Sequence, residues 1–276
     1  MKQLKFSHAA ENGVFWMLIL LGTLGFLSLF SAGRQAIQTG SGKMKALAEG
    51  RIHKTAEGFR PICSVNQERK QAALTFDISG DLKELDGLIQ VPAILEENQV
   101  KASFFVSGEW AMENPEYIRK LSELGHDIGS MGQTGISVSS LTAQMRQEEI
   151  RQAKDCLEQL TGRDTNLFRP AQGEYDDSLI TAVCAMGCYP IGWDVDSQDW
   201  KDYGAFTICR QVLENENLKG GSIIRFRCGS KYTAQSLTDI IDRLKRAGFE
   251  LVPLSQMIYK EQYHLDEQGR QMKNEG

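Results

Sequence analysis

The chain of 276 residues has no Cys-x-x-Cys pair among its six cysteines, and none of its four histidines stands at finger-like spacing from them. A structural zinc module therefore has no ligand set to use. The formal charge is −5, and no basic stripe interleaved with aromatics occurs, which excludes an electrostatically driven nucleic-acid binder. Long disordered composition is also missing: 41% of the residues are hydrophobic, enough for a full-sized core in one large domain with appendages. Such a core does not need covalent staples. Cys63, Cys156, Cys184, Cys188, Cys209 and Cys228 read as buried free thiols, with disulfides the alternative if the domain is exported.

What is present begins with one long apolar run. After a polar tail, 1–12, that carries Lys2 and Lys5, the segment 13–32 (GVFWMLILLGTLGFLSLFSA) has no charge over roughly 20 residues, the length that spans a bilayer core. It reads as a transmembrane anchor. A cleavable signal is the alternative, because Ser31-Ala32-Gly33 is rich in small residues. Arg34, Lys43 and Lys45 follow the span and outnumber the two lysines before it, which by the positive-inside rule points to a cytoplasmic domain. Residues 33–70 are rich in Gly, Lys and Gln with little periodicity and read as a linker, with His53 solvated.

From residue 71 to about 260 short apolar runs alternate with segments of helical spacing. Strands are expected at 73–77, 103–106, 127–130, 166–169, 189–194, 222–226 and 250–254. Pro92 suits the first turn of a helix, and Asp176 suits the cap of another. Leu179, Ala182, Val183 and Met186 make a helical stripe. Ile150, Ala153, Leu157 and Leu160 form a second, and Leu237, Ile240, Ile241 and Leu244 a third. All three are core faces. Strict alternation predicts an α/β fold: a parallel sheet with helices outside, closed or nearly closed into a barrel whose function gathers at the strand C-termini. The polar residues 261–276 read as a frayed tail.

Those C-terminal edges carry Asp77; Ser130 and Met131; Arg169-Pro170-Ala171-Gln172-Gly173; Asp196 to Trp200; and Arg225-Phe226-Arg227. Carboxylates, arginines and an indole can converge there. Each also has a plain reading: a loop ion pair for Arg169 and Asp199, a lid for Trp200, a turn residue for Asp77. In order and spacing, Thr75-Phe76-Asp77, Gly125-His126-Asp127-Ile128-Gly129-Ser130, Phe168-Arg169-Pro170, Asp196 to Trp200 and Gly221 to Ile224 resemble the motifs of the NodB-homology polysaccharide deacetylases, carbohydrate esterase family 4. The first motif is also similar to that of the sporulation deacetylases.

That resemblance implies a distorted (β/α)7 TIM-like barrel that removes N-acetyl groups from wall glycans. It implies a metal held by an aspartate and two histidines, an aspartate base and a histidine acid. Carried across, Asp77 matches the base, but the metal-ligand positions are Ile78, Met131 and Gly135, and the acetyl-pocket leucine and the acid are Arg225 and Arg227. His126 matches a packing histidine ahead of the second motif. Arginine does not release its proton near neutral pH, so it cannot serve as the acid. Arg169 is expected to brace Asp77, Asp199 to brace Arg169, Trp200 and Gln172 to line the groove, and Arg225 and Arg227 either to bind a carboxylate or to neutralise Asp77 and Asp199.

The expected protein is therefore a membrane-tethered, catalytically silent deacetylase-like domain that binds cell-wall polysaccharide or peptidoglycan and needs no cofactor. Two alternatives stand beside it: a scaffold in an envelope assembly, and an active glycan N-deacetylase using zinc, cobalt or nickel at a non-standard site. Because wall glycans lie outside the membrane, the resemblance places the domain extracytoplasmic on a single-pass anchor, against the charges that follow the span.

Overall fold

The fold is organised by the strand at 71–78, whose alternate side chains face two different cores. In the computed structural model, which describes residues 54–55, 58–78, 85–137 and 141–274, the strands in chain order are β1 (Lys54–Thr55), β2 (Gly58–Phe59), β3 (Ser64–Val65), β4 (Gln71–Ile78), β5 (Ser103–Val106), β6 (Asp127–Ser130), β7 (Leu167–Phe168), β8 (Tyr189–Pro190), β9 (Val195–Asp196), β10 (Ser222–Arg227), β11 (Glu250–Leu251), β12 (Tyr263–Leu265) and β13 (Arg270–Lys273). Strands β10, β4, β5, β6, β7 and β8 lie side by side in that order, each parallel to the next. Helices 85–97, 143–161, 177–185, 205–213 and 233–246 fill the connections between parallel strands. The architecture is α/β, with a sheet that curls on itself.

The curl is visible in hydrogen bonds at its two ends. The N–H of Ile62 donates to Pro190 O and the N–H of Gly192 to Ile62 O, both at 2.8 Å, so the chain just ahead of β3 runs along the far end of β8. β3 itself pairs antiparallel with β10.

Period-2 alternation divides β4. Leu74, Phe76 and Ile78 join the large apolar cluster beneath the helices, whereas Ala73 belongs to a second cluster inside the curl, with Phe105, Ile191 and Ile223. Phe226, Phe76 and Phe104 are exact cross-strand neighbours in β10, β4 and β5. Their rings stack at centroid distances of 5.3 and 5.2 Å. All three are fully buried, and each contributes about 1.5–3 kcal/mol by leaving water. This ladder pins the register of the three strands, because a slip of one residue would turn every phenylalanine into the other core.

The helical stripes read from sequence are core faces as expected. Leu237, Ile240, Ile241 and Leu244 are fully buried, as are Ile150, Ala153 and Leu157. Asp176 caps the helix Asp177–Ala185, its Oδ1 accepting from Leu179 N at 2.7 Å. All six cysteines are free.

Four differences from the sequence reading have physical causes. Pro92 lies inside the helix Leu85–Glu97 and not in its first turn. It leaves the carbonyl of Leu88 without its helical donor, and the hydroxyl of Tyr117, from the next helical layer, donates to that carbonyl at 2.7 Å. The tail 261–276 is not frayed over its described part: β12 and β13 form an antiparallel hairpin that extends the sheet through β3. Its period-2 signal is short, and only the pairing partner makes it a strand. Residues 58–70 of the expected linker likewise contribute β2 and β3 to the folded part. Several strands are shorter than read, β7, β8 and β11 being two residues each. Among the described residues no helix is long and apolar enough to cross a membrane. The apolar segment 13–32 lies outside them.

The proline-tyrosine pairing is testable by a double-mutant cycle. Tyr117→Phe should cost about 1–2 kcal/mol by stranding a buried carbonyl. In that background Pro92→Ala, which restores the helical N–H, should stabilise by about 1 kcal/mol more than it does in the parent protein. Additive urea midpoints would show that Tyr117 is not the substitute donor.

Candidate functional site

The C-terminal ends of β4, β7 and β10 deliver Asp77, Arg169 and Arg225 to one point inside the curl. Asp77 opposes Arg227 and Phe105 across its neighbouring strands, and Arg225 opposes Thr75 and Asp196. All of these except Phe105 are polar residues on the inward face, ending strands whose lower halves are apolar. Asp77 is buried, and each of its oxygens is taken: Oδ1 by Arg169 Nη1 and Oδ2 by Arg225 Nε, both at 2.7 Å.

Arg169 is fully buried. Its Nη1 also donates to Thr75 Oγ1 at 2.9 Å and its Nη2 to Gly192 O at 3.0 Å. The guanidinium lies 4.1 Å from the Phe105 ring centroid and 5.5 Å from that of Trp193. Its Nε is left without a partner. Burial pulls its pKa down while Asp77 pushes it up, with a net lowering. It nevertheless stays charged, because arginine starts far above neutrality. Arg225, half-buried, stacks on Trp193 from 4.1 Å and reaches Asp196 Oδ2 at 3.5 Å. Burial opposes its charge, but Asp77 and Asp196 outweigh that and its pKa is raised.

Asp199 is placed differently from the sequence reading. It does not brace Arg169. Its carboxylate accepts from the backbone N–H of Arg227, at 3.1 and 2.9 Å to its two oxygens, and from Thr233 Oγ1 at 2.6 Å. Asp199 thus ties the loop after β9 to the end of β10 and to the start of the helix Thr233–Arg246. Burial pushes its pKa up to about 6, against the lowering by these donors. Asp194, half-buried beside β10 and bonded to Ile223 N and Ser222 Oγ, is also pushed up to about 6 by desolvation.

Arg227 is the second correction. Asp77 pairs with Arg169 and Arg225, not with Arg227, whose contribution to Asp199 is its backbone N–H. Its guanidinium is half-buried, and none of the described residues forms an ion pair with it. Trp200 and Gln172 are exposed in the loops after β9 and β7. Gln172 holds a left-handed backbone at φ 57°.

The positions that the resemblance assigns to metal ligands do not fit a metal. Ile78 is packed in the cluster beneath the helices, on the opposite face of β4 from Asp77. Met131 is buried in the inner cluster and offers only a thioether. Gly135 has no side chain, sits at φ +69°, and a Cβ there would lie 2.9 Å from Ser107 Cβ. Among the described residues no three His, Cys, Asp or Glu side chains converge in a metal-holding group. His126 precedes β6 at the opposite end of the sheet. Its Nδ1 accepts from Ala102 N at 3.1 Å, its ring meets Phe104 edge-on, and burial pulls its pKa down to about 4. It is a neutral packing residue.

Sequence reasoning missed Trp193, the ring shared by both guanidiniums, and Thr233. Trp193 follows Gly192 just past β8, so its position at a strand C-terminus was the available signal. Thr233 carried no comparable mark.

The curled α/β sheet thus gathers an aspartate, two arginines and a tryptophan at its strand ends, and this arrangement can be set beside known proteins. The family model described as polysaccharide deacetylase matches residues 64–191. The peptidoglycan-N-acetylglucosamine deacetylase PgdA of Listeria monocytogenes is 28% identical over 199 residues, 72% of this chain and 41% of that protein. The uncharacterized Bacillus subtilis protein YlxY is 25% identical over 207 residues, 75% of this chain and 63% of its own length. The chain thus spans less than two thirds of these curated relatives. A crystal structure of a CE4 family pseudoenzyme from Bacillus anthracis superposes with a TM-score of 0.67 at 21% identity, covering 73% of this chain and 69% of that one, and shows the same fold. Over residues 64–191 the chain is thus similar to polysaccharide deacetylase domains.

Two measurements follow from the geometry. Asp77→Ala strands the buried Arg169 charge and should destabilise the domain by about 3–5 kcal/mol in urea unfolding; a loss below about 1 kcal/mol would mean that the pair is screened by water. Because Asp199 has a folded pKa above its unfolded value, it contributes stability below the unfolded pKa that is lost as pH rises through about 6. Asp199→Asn should therefore lose less stability between pH 5 and 7 than the parent protein does. Parallel pH profiles would refute the assignment.

Proposed function

We propose that this domain is a catalytically silent member of its family that binds cell-wall glycan. The curled sheet is read as a distorted (β/α)7 barrel whose mouth has become a binding surface. The single observation that carries the reading is the double clamp on Asp77. A carboxylate with both oxygens held at 2.7 Å by guanidiniums is a poor base, because its oxygens are engaged by fixed protein donors and not turned toward the proton of a bound water. Arg225 occupies the position of the acetyl-pocket leucine and takes the neutralising role. Arg227, in the position of the histidine acid, is left as a cationic fork for a carboxylate, such as the lactyl group of muramic acid or a peptide stem.

The choice of wall glycan is supported by the relatives named as peptidoglycan deacetylases. With the apolar run 13–32 as a single-pass anchor, the domain would stand on the outer side of the cytoplasmic membrane, where that polymer is. Protease added to intact protoplasts should then remove it; protection until lysis would place it in the cytoplasm.

The deciding experiment loads the purified full chain with zinc, cobalt or nickel and measures bound metal and acetate released from acetylated glycan. The expected result is no stoichiometric metal, no acetate, and retention of the protein on purified peptidoglycan sacculi. Stoichiometric metal that disappears in Asp77→Ala, with turnover, would instead establish an active N-deacetylase with a rebuilt site. Silence without sacculus binding would establish a scaffold.

A further inference from the structure

Between β9 and the first turn of the helix Ala205–Leu213, three large aromatic side chains are left in solvent: Trp200 is 50% exposed, Tyr203 70% and Phe206 77%. They fall within seven consecutive residues, 200–206. The opposite face of that helix, Ile208, Cys209 and Val212, is buried as an ordinary amphipathic helix requires. The outward aromatics are therefore not a misplaced core stripe. Nor is the loop slack. Gln198 at φ 52° and Asp202 at φ 54° are both left-handed without being glycine, a conformation that costs on the order of 1 kcal/mol or more at each.

Hydrogen bonds hold it there. Lys201 Nζ donates to Gln198 Oε1 at 2.8 Å, Lys201 N to Gln198 O and Asp202 N to Asp199 O, both at 3.1 Å. Thr207 Oγ1 donates to Tyr203 O at 3.0 Å, and Lys231 N from the loop after β10 reaches Asp202 Oδ1 at 3.4 Å. Asp199, immediately before Trp200, is fixed to Arg227 N and Thr233. The loop that presents the aromatics is thus stitched to the same strand end that carries Arg227.

We infer that Tyr203 and Phe206 extend Trp200 into a sugar-stacking ledge that holds further units of a glycan polymer whose acidic unit sits at Arg227. This rests on the glycan-binding reading above and specifies which length of ligand the surface takes. The chemistry favours a sugar over other occupants. Pyranose rings present C–H faces of positive character to the negative faces of aromatic rings. The three exposed hydrophobics are aromatic, with no aliphatic among them. The exposed carboxylate of Asp202 between Trp200 and Tyr203 can accept from sugar hydroxyls.

The test titrates the full chain in detergent with soluble peptidoglycan glycan strands and, separately, with the single N-acetylglucosamine–N-acetylmuramic acid disaccharide, following binding calorimetrically. Because both side chains are largely in water, Tyr203→Ala/Phe206→Ala should leave the fold within about 0.5 kcal/mol of the parent. The double variant should bind the strands about tenfold more weakly, as expected for the loss of two aromatic contacts, and the disaccharide as the parent does. Equal affinity of parent and variant for the strands would overturn the ledge while leaving the mouth as a glycan site. Failure of the parent to bind either ligand would overturn the glycan reading and the ledge with it. Loss of binding to vesicles of anionic phospholipid, with strand binding kept, would show that the aromatics face the membrane.

Discussion

A guanidinium with no access to solvent is the constraint on which the mouth of this domain depends. Arg169 enters the centre of the curled sheet, and its desolvation is offset only because Asp77, Thr75 and the Gly192 carbonyl meet it at hydrogen-bond distance and two aromatic faces flank it. Asp77 and Thr75 come from β4 and Gly192 from just past β8, so the pairing requires β4, β7 and β8 to be in register before the charge can be buried. Arg225 then occupies the second oxygen of Asp77 and stacks on the same Trp193. The charge of Asp77 is satisfied within the protein.

The same alternation that builds the core separates Asp77 from Ile78, the position that the resemblance assigns to a metal ligand. Asp77 and Ile78 are adjacent in sequence and on opposite faces of β4, one in the polar mouth and the other among the aliphatic side chains beneath the helices. Ile78 at that position adds packing to the outer cluster. Across the neighbouring strands the phenylalanine ladder fixes the register, and with it the heights at which Asp77, Arg225 and Arg227 emerge. Stability of the outer core and geometry of the site are therefore one property of these strands.

Much of this was legible in the residues. The alternation of apolar runs and helical stripes located the parallel strands, and polar residues at their C-terminal ends located the mouth. The double role left open for Arg225 and Arg227 divides once coordinates are known: Arg225 neutralises Asp77, while Arg227 lends Asp199 its backbone N–H. The expected contact between Asp199 and Arg169 fails because a carboxylate between two strand ends can turn toward either neighbour, and spacing along the chain does not say which. Pro92 was misplaced for a similar reason. Propensity puts proline in a first turn, but a tertiary donor, Tyr117, supplies the hydrogen bond that lets it sit in a helix interior.

The sequence by itself determined the α/β pattern and the inward-facing polar strand ends, because periodicity and side-chain chemistry are local properties. Only the tertiary structure decided that Asp77 is clamped twice, that Trp193 is the ring beneath both guanidiniums, that Asp199 serves β10 and that the hairpin of β12 and β13 completes one edge of the sheet. Those contacts join residues far apart in the chain, as with the 92 positions between Asp77 and Arg169. They exist only where packing of the strands brings the partners within hydrogen-bond reach.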